Sequence, residues 1–473
     1  MIIKFKDVFL KAFLLGSICN CLISPSYGME DDEAEKINNI SQLKKDKEET
    51  IFLVSVHPQT TTLLQGVVPC QSMEHLSDDV HMTIFAFLNQ RNVPTVSSTS
   101  RRWQRLMDNN QLWKGYAERA LVVMKGVYSP QRNYKALVQE HCTPSFTDLS
   151  TLNGRKSLVS GINFDGTVLI GAADDDGKGK VFRWTKENGM EFLDTLNEAT
   201  DIAAYGVNFD GTVIVGSTRV SGKNRTFRWT KENGTEFLTE GVAFGVNSEG
   251  SVIIGQAIDG VKVRSFRWTA KNGMEFLRTL NGEIEGGARS TNFDGSVIVG
   301  EADDSTTTGM QSAFRWTEKN GLVPLGTLNG GATSSASGVN FDGSVIVGET
   351  YDGNKKRAFR WTAENGMKSL STLDSRAFGV NFDGSVIIGS ILNGTMPERA
   401  FRWTSENGME SIENLLKDKN LLPPCWSLDV AMGMTPDGNV LIGYGYHQIQ
   451  TKNKDGRLQP RAWRAVLPRG NLF

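Results

Sequence analysis

The chain has 473 residues, 39% of them hydrophobic and 22% charged, with a formal net charge of -2. That length accommodates two or three domains with a sizeable core, and the near-neutral balance excludes the strongly basic surface that binds a nucleic acid backbone. Cys19 and Cys21 sit in the first thirty residues, while Cys70, Cys142 and Cys425 are too scattered for a disulfide framework or a metal site, so no cofactor and no metal is expected.

Residues 1–28 carry Lys4 and Lys6, an apolar run from Ala12 to Ile23, and then Ser26 and Gly28, the pattern of a cleaved signal peptide. The run is too short and interrupted for a stable membrane span, so the chain is expected to be exported. Residues 29–72 form a charged linker, with eight acids and four lysines between Glu30 and Glu49, followed by a strand-like Ile51–Val56 with no evident partner. From Met73 the pattern becomes helical. Ser77 or Asp78 caps a helix whose Val80, Ile84, Phe85 and Leu88 share one face, and a later basic stretch bears Trp103 and Leu106, so residues 73–145 are expected to form a small helical bundle.

Beyond it one phrase recurs, as in "VFRWTKENGMEFL" and "AFRWTAENGMKSL", with tryptophans at 184, 229, 268, 316, 361, 403 and 463. Successive gaps of 45, 39, 48, 45, 42 and 60 residues mark an array of one supersecondary unit. Ahead of each phrase stands a partner such as "YGVNFDGTVIVGS", two β-branched runs around Asp-Gly, and within each phrase Asn-Gly turns "FRW" back into a second strand. Four short antiparallel strands in about 45 residues is the arithmetic of a propeller blade, whereas a parallel β-helix has shorter rungs and no paired hairpin turns. The last unit lacks its fourth strand, and "FTDLSTLNG" at 146–154 resembles the fourth-strand endings elsewhere. The expected fold is therefore mainly β, a seven-bladed propeller over residues 146–467 closed by its own first strand, with a tail at 468–473.

The repeated aromatics, Trp184, Trp229, Trp268, Trp316, Trp361, Trp403 and Trp463 with the phenylalanines two residues before most of them, are read as packing between blades. Beside them stand Arg183, Arg228, Arg267, Arg315, Arg360, Arg402 and Arg464, and each unit has one acid in its first turn, Asp165, Asp210, Glu249, Asp294, Asp342, Asp383 or Asp437. Either these charges form ion pairs or charge-to-backbone bonds that tie blade to blade, or the arginines lie on a wetted strand and the acids serve the turn. The connections after the second strand vary most in length and chemistry, which makes that end of the ring the expected binding face. Gly216–Asn224 fails the phosphate-loop spacing, Asp174–Lys180 lacks the calcium-loop pattern, the five histidines show no metal pairing, and no nucleophile has an assignable base. No active site is expected.

Residues 73–121 resemble an F-box: Leu76 stands for its Leu-Pro start, Ile84 and Leu88 for its first helix, Arg101, Arg102 and Trp103 for its third, and Leu112-Trp113 for its close. Ser77 replaces the usual proline and Ser100 a common cysteine. The resemblance implies docking to Skp1 of a cullin ubiquitin ligase through Leu76, Val80, Ile84, Phe85 and Leu88. The repeats are similar to the bacterial HAF-type extracellular repeat, with basic residues such as Arg225, Arg357 and Arg399 in place of its histidine. Together these imply a non-catalytic adaptor that binds an unknown protein or glycan on its propeller, a secreted bacterial effector reaching host cytoplasm; the alternative is an exported envelope protein in which the helical bundle is only structural.

Overall fold

In the computed structural model the described residues are Lys114, His141 and, with short gaps, 143–467. Leu76, Val80, Ile84, Phe85 and Leu88 and the bundle expected around them lie outside these residues. All the strands belong to one compact unit, which takes in Glu118–Ser129 and Ala136–Arg469.

Strand β1 (Ser145–Asp148) precedes six antiparallel repeats of a four-strand pattern. The first sheet is β2 (Ser157–Ile162), β3 (Leu169–Asp175), β4 (Lys178–Thr185) and β5 (Gly189–Phe192). The next two repeats use β6 (Thr200–Val207), β7 (Val213–Val220), β8 (Lys223–Thr230), β9 (Gly234–Val246), β10 (Val252–Asp259), β11 (Lys262–Thr269) and β12 (Gly273–Phe276). These seven strands form one sheet, because β9 serves as outer strand of the second repeat and inner strand of the third. The 39-residue gap between Trp229 and Trp268 leaves no room for a separate link, and Gly241, at φ +150°, takes up the change of direction. A short ladder, β13 (Arg278–Thr279) with β14 (Gly282–Glu283), leads to the fourth sheet. That sheet is β15 (Gly286–Thr291), β16 (Val297–Asp303), β17 (Gln311–Thr317) and β18 (Gly321–Gly326); the fifth is β19 (Ser334–Val339), β20 (Val345–Asp352), β21 (Lys355–Thr362) and β22 (Gly366–Ser369).

The sixth is β23 (Ser375–Val380), β24 (Val386–Ile391), β25 (Arg399–Thr404) and β26 (Gly408–Ser411), followed by helix α1 (Ile412–Lys417). The repeated phrase ends here at "MESI"; Ser411 accepts the Asn414 N–H and starts a helix that buries Ile412 and Leu416. The last sheet contains β27 (Trp426–Met434), β28 (Val440–His447) and β29 (Arg461–Val466), and β1 pairs along β29 from Ser145 opposite Val466 to Asp148 opposite Trp463.

Packing between sheets follows one rule. Phe182, Phe227, Phe266, Phe314, Phe359 and Phe401 are fully buried, and each lies against β-branched residues of the preceding sheet, as Phe227 does against Val168 and Ile170. Phe182 of the first sheet packs with Ile442 and Ala462 of the last. Burying a phenylalanine stabilises by roughly 2–3 kcal/mol. The sequence treated Phe and Trp alike as core, but six of the tryptophans are half-buried at the sheet surface and only Trp463 is sealed, at 0% exposure. The phenylalanine sinks deeper because the strand beside it offers a glycine. A Cβ on Gly171 would lie 2.7 Å from Phe182 Cζ and 2.1 Å from the Leu158 carbonyl oxygen, where a bulge turns the inner strand.

Candidate functional site

The inner strands surround an axis whose two ends differ. At the end of the first turns, the sequence Asn-Phe-Asp-Gly in five of the seven repeats determines the geometry. Asn163 Oδ1 accepts from the Val168 N–H at 2.9 Å, and its Nδ2 donates to the Phe209 carbonyl of the next sheet at 3.4 Å. Asn292 and Asn340 make the same pair of bonds. Gly166, at φ +69°, closes the turn. Backbone bonds then run from sheet to sheet, Phe164 N–H to Phe209, Phe209 to Ser248, Ser248 to Phe293 and Phe293 to Phe341, at 3.0–3.3 Å.

The phenylalanines beside these asparagines fill the axis. Phe164 stacks on Phe209 at 4.3 Å, Phe293 on Phe341 at 4.4 Å, Phe341 on Phe382 at 4.1 Å, and Phe164 meets Phe293 across the axis at 6.3 Å. These rings form an aromatic plug at this end, around a recess of about 210 Å³.

The first-turn acids serve their own turns. Asp165 Oδ1 accepts from the Thr167 N–H at 3.0 Å, and the Ser344 hydroxyl bonded to Asp342 holds that carboxyl below its ordinary range. The arginines do not meet them. Arg183, Arg228, Arg267 and Arg402 face Glu191, Glu236, Glu275 and Glu410 of their own outer strands at 3.7–3.8 Å, while Arg315 and Arg360 donate to the carbonyls of Gly343 and Gly384 in the following sheet at 3.5 Å. Of the blade-to-blade links entertained from the sequence, the charge-to-backbone form is met at Arg315 and Arg360, while the other four arginines face glutamates of their own sheets because cross-strand neighbours are nearer. His141, passed over in the sequence, is 2% exposed; its Nε2 donates to the Asp165 carbonyl at 2.7 Å and its Nδ1 lies 3.6 Å from Asp437 Oδ2, joining the first and last turns.

The open mouth, on the side of the variable connections, leads to a cavity of about 240 Å³ lined by Tyr205, Phe244, Arg289, Ser337, Phe378 and Met434 among others. Here the repeats stop resembling one another. Arg289 Nε donates to Glu301 at 2.8 Å and its guanidinium covers the Phe244 ring at 4.4 Å, while Ser335 of the next sheet also donates to Glu301. Glu349 takes Lys356 at 2.7 Å and Arg376 of the next sheet at 3.1 Å. In the last sheet, burial pushes the Asp429 carboxyl up to about 6, against the Ser427 hydroxyl at 2.9 Å, with Glu398 and Glu413 adding to the rise. Burial likewise raises Tyr444 and Tyr446, with Glu398 and Asp429 again contributing to both. None of these mouth residues was singled out from the sequence; the departure of Glu301, Glu349 and Tyr444 from the small or neutral residues after the second-strand glycine in the other repeats was the available signal.

Among the described residues, no three His, Cys, Asp or Glu side chains are grouped to hold a metal, and no helix is long and apolar enough to cross a membrane. No curated protein matches the chain. Solved structures similar to it include an oligogalacturonate lyase from Vibrio parahaemolyticus, 13% identical, covering 68% of this chain and 93% of that one at a TM-score of 0.47. The β-propeller domain of the Trilobed protease from Pyrococcus furiosus is 9% identical, over 67% of this chain and 100% of that one, at 0.44. TolB from Acinetobacter baumannii is 11% identical at 0.37, over 54% of this chain, which spans 63% of that protein's length. With a lyase and the propeller domain of a protease among these neighbours, the expectation that the chain is no enzyme is not kept, and catalysis is left open. The chain is mainly β with propeller-like neighbours, and its residues 74–118 match the F-box-like family.

Proposed function

We propose that the chain is a protein-interaction adaptor whose F-box-like segment docks Skp1 of a host ubiquitin ligase, and whose repeats close into a seven-bladed propeller of HAF type that captures a target at its open mouth. The match of residues 74–118 to the F-box-like family carries this reading. The plug at one end and the dissimilar residues at the other support a single face for the target. The leader at residues 1–28 supports export from a bacterium and delivery to host cytoplasm.

Calorimetry of the purified chain against Skp1 tests it, with a Phe85→Ala, Leu88→Ala variant whose circular dichroism is unchanged. Micromolar or tighter binding that the variant loses is the expected result. A folded wild type that does not bind Skp1 overturns the adaptor and favours an exported binding protein.

A further inference from the structure

Between the sixth and seventh sheets, at the open mouth, several polar groups meet with few partners. Asp429 is 2% exposed and, among the described residues, accepts a hydrogen bond only from the Ser427 hydroxyl, at 2.9 Å. It occupies an extra position where β27 bulges between Leu428 and Val430 against β28, so it has no counterpart in the regular pairing. Glu398, half-buried just before β25, makes no ion pair among the described residues. Tyr444 and Tyr446, two apart on β28 and so on one face, are both half-buried.

A second observation points the same way. Ser390 is fully buried, and its Oγ finds no hydrogen-bond partner. It lies directly opposite Arg376 in the β23–β24 ladder, which puts both side chains on one face, and the charge of Arg376 acts on Tyr444. The orphaned hydroxyl thus lies on the face of the sixth sheet that carries Arg376.

The charges decide what the occupant is. Those acting on Asp429 are Glu398 and Glu413, both negative. Glu413 is answered by Lys417 at 2.5 Å and also accepts the Leu428 N–H, and Arg376 is held by Glu349 at 3.1 Å, which leaves Glu398 and Asp429 unanswered. His447 faces Trp426 at 5.7 Å, and Arg461 of β29 covers the same ring at 5.9 Å while its guanidinium pairs with Asp148 at 3.3 Å. Two carboxylates beside two phenol rings suit an ammonium or guanidinium, which gains charge pairing from the first and the ring quadrupole from the second.

We propose that Glu398, Asp429, Tyr444 and Tyr446 form a socket for a lysine or arginine side chain of the protein captured at the mouth. This rests on the reading of the mouth as the target face. Seating a cation favours ionised Asp429 and so releases a proton in acid solution, and affinity rises with pH until Asp429 is ionised without help.

The test is calorimetric titration of the full chain with Nα-acetyl-arginine methylamide, and with the uncharged citrulline analogue, from pH 5 to 7.5. The arginine compound is expected to bind about tenfold more tightly at pH 7.5 than at pH 5, and the citrulline compound not at all. Asp429→Asn should abolish the pH dependence and Glu398→Gln should weaken binding at least fivefold, each with an unchanged circular dichroism spectrum. Equal binding of the two compounds, or wild-type affinity and pH dependence in folded Asp429→Asn, overturns the socket. Since no Skp1 is present, the result is independent of the docking experiment: a socket without Skp1 binding removes the adaptor alone, and Skp1 binding without a socket removes this inference alone.

Discussion

The plugged and open ends of the strand array are made by the same hairpins, yet one is bound into a continuous layer and the other is a set of separate tips. At the plugged end an asparagine in most repeats joins its own turn to the neighbouring carbonyl, and phenylalanines meet over the axis. At the open end Val261 stands fully exposed on its hairpin, and the ion pairs are confined to particular sheets. Repetition is kept where each residue has a partner in the next repeat. It is lost where side chains face solvent or a ligand.

This contrast can be broken most severely below both ends, in the layer that supports them. Phe359→Ala, which empties a sealed contact with Val297 and Val299, should cost about 3–5 kcal/mol in denaturant unfolding. At the open end the opposite sign is expected. The carboxyl of Asp429 titrates near 6 in the fold and near 4 unfolded, so the folded state holds its proton more tightly and stability falls as pH rises between those values. Asp429→Asn should therefore stabilise the chain by about 2 kcal/mol at pH 7 and have little effect at pH 4, measured by urea unfolding at both.

At the plugged end, Asn292→Ala removes the acceptor for the Val297 N–H and the donor to the Phe341 carbonyl, and should cost about 1–2 kcal/mol by thermal unfolding. Asp342, held low by Ser344, contributes stability above the ordinary carboxylate range that is lost as pH falls below it; Asp342→Asn should flatten that part of the acid-unfolding curve. The smallest effect belongs to the open tips, where Val261→Ser should change stability by less than about 0.5 kcal/mol.

Much of the strand array was legible because its signals are local. Asp-Gly and Asn-Gly fix turns within a few residues, and the spacing of the tryptophans counts the repeats. The kinship of "FTDLSTLNG" with the fourth strands pointed to β1, which lies on β29. What escaped depends on distance in space. The Phe of Asn-Phe-Asp-Gly reads as a turn residue until phenylalanines from several repeats meet on an axis. The continuity of β9 depends on a link too short to break, and Ser411 competes for helix against a strand pattern. Asp429 was hidden more completely, since "SLDVAMG" gives no hint that one residue is extra in the ladder.

The last sheet draws its strands from both ends of the repeat region, and the bond from the Ala462 N–H to the Ser157 hydroxyl spans 305 residues. During synthesis from the N-terminus, β1 emerges long before β29 and has no sheet to join until almost the whole chain has been made. The assembly of the final sheet is therefore the most non-local step of folding and a slow one. Until it occurs, the inner strands of the first and seventh sheets have uncovered faces, and the seam between them is where a nascent chain is most exposed.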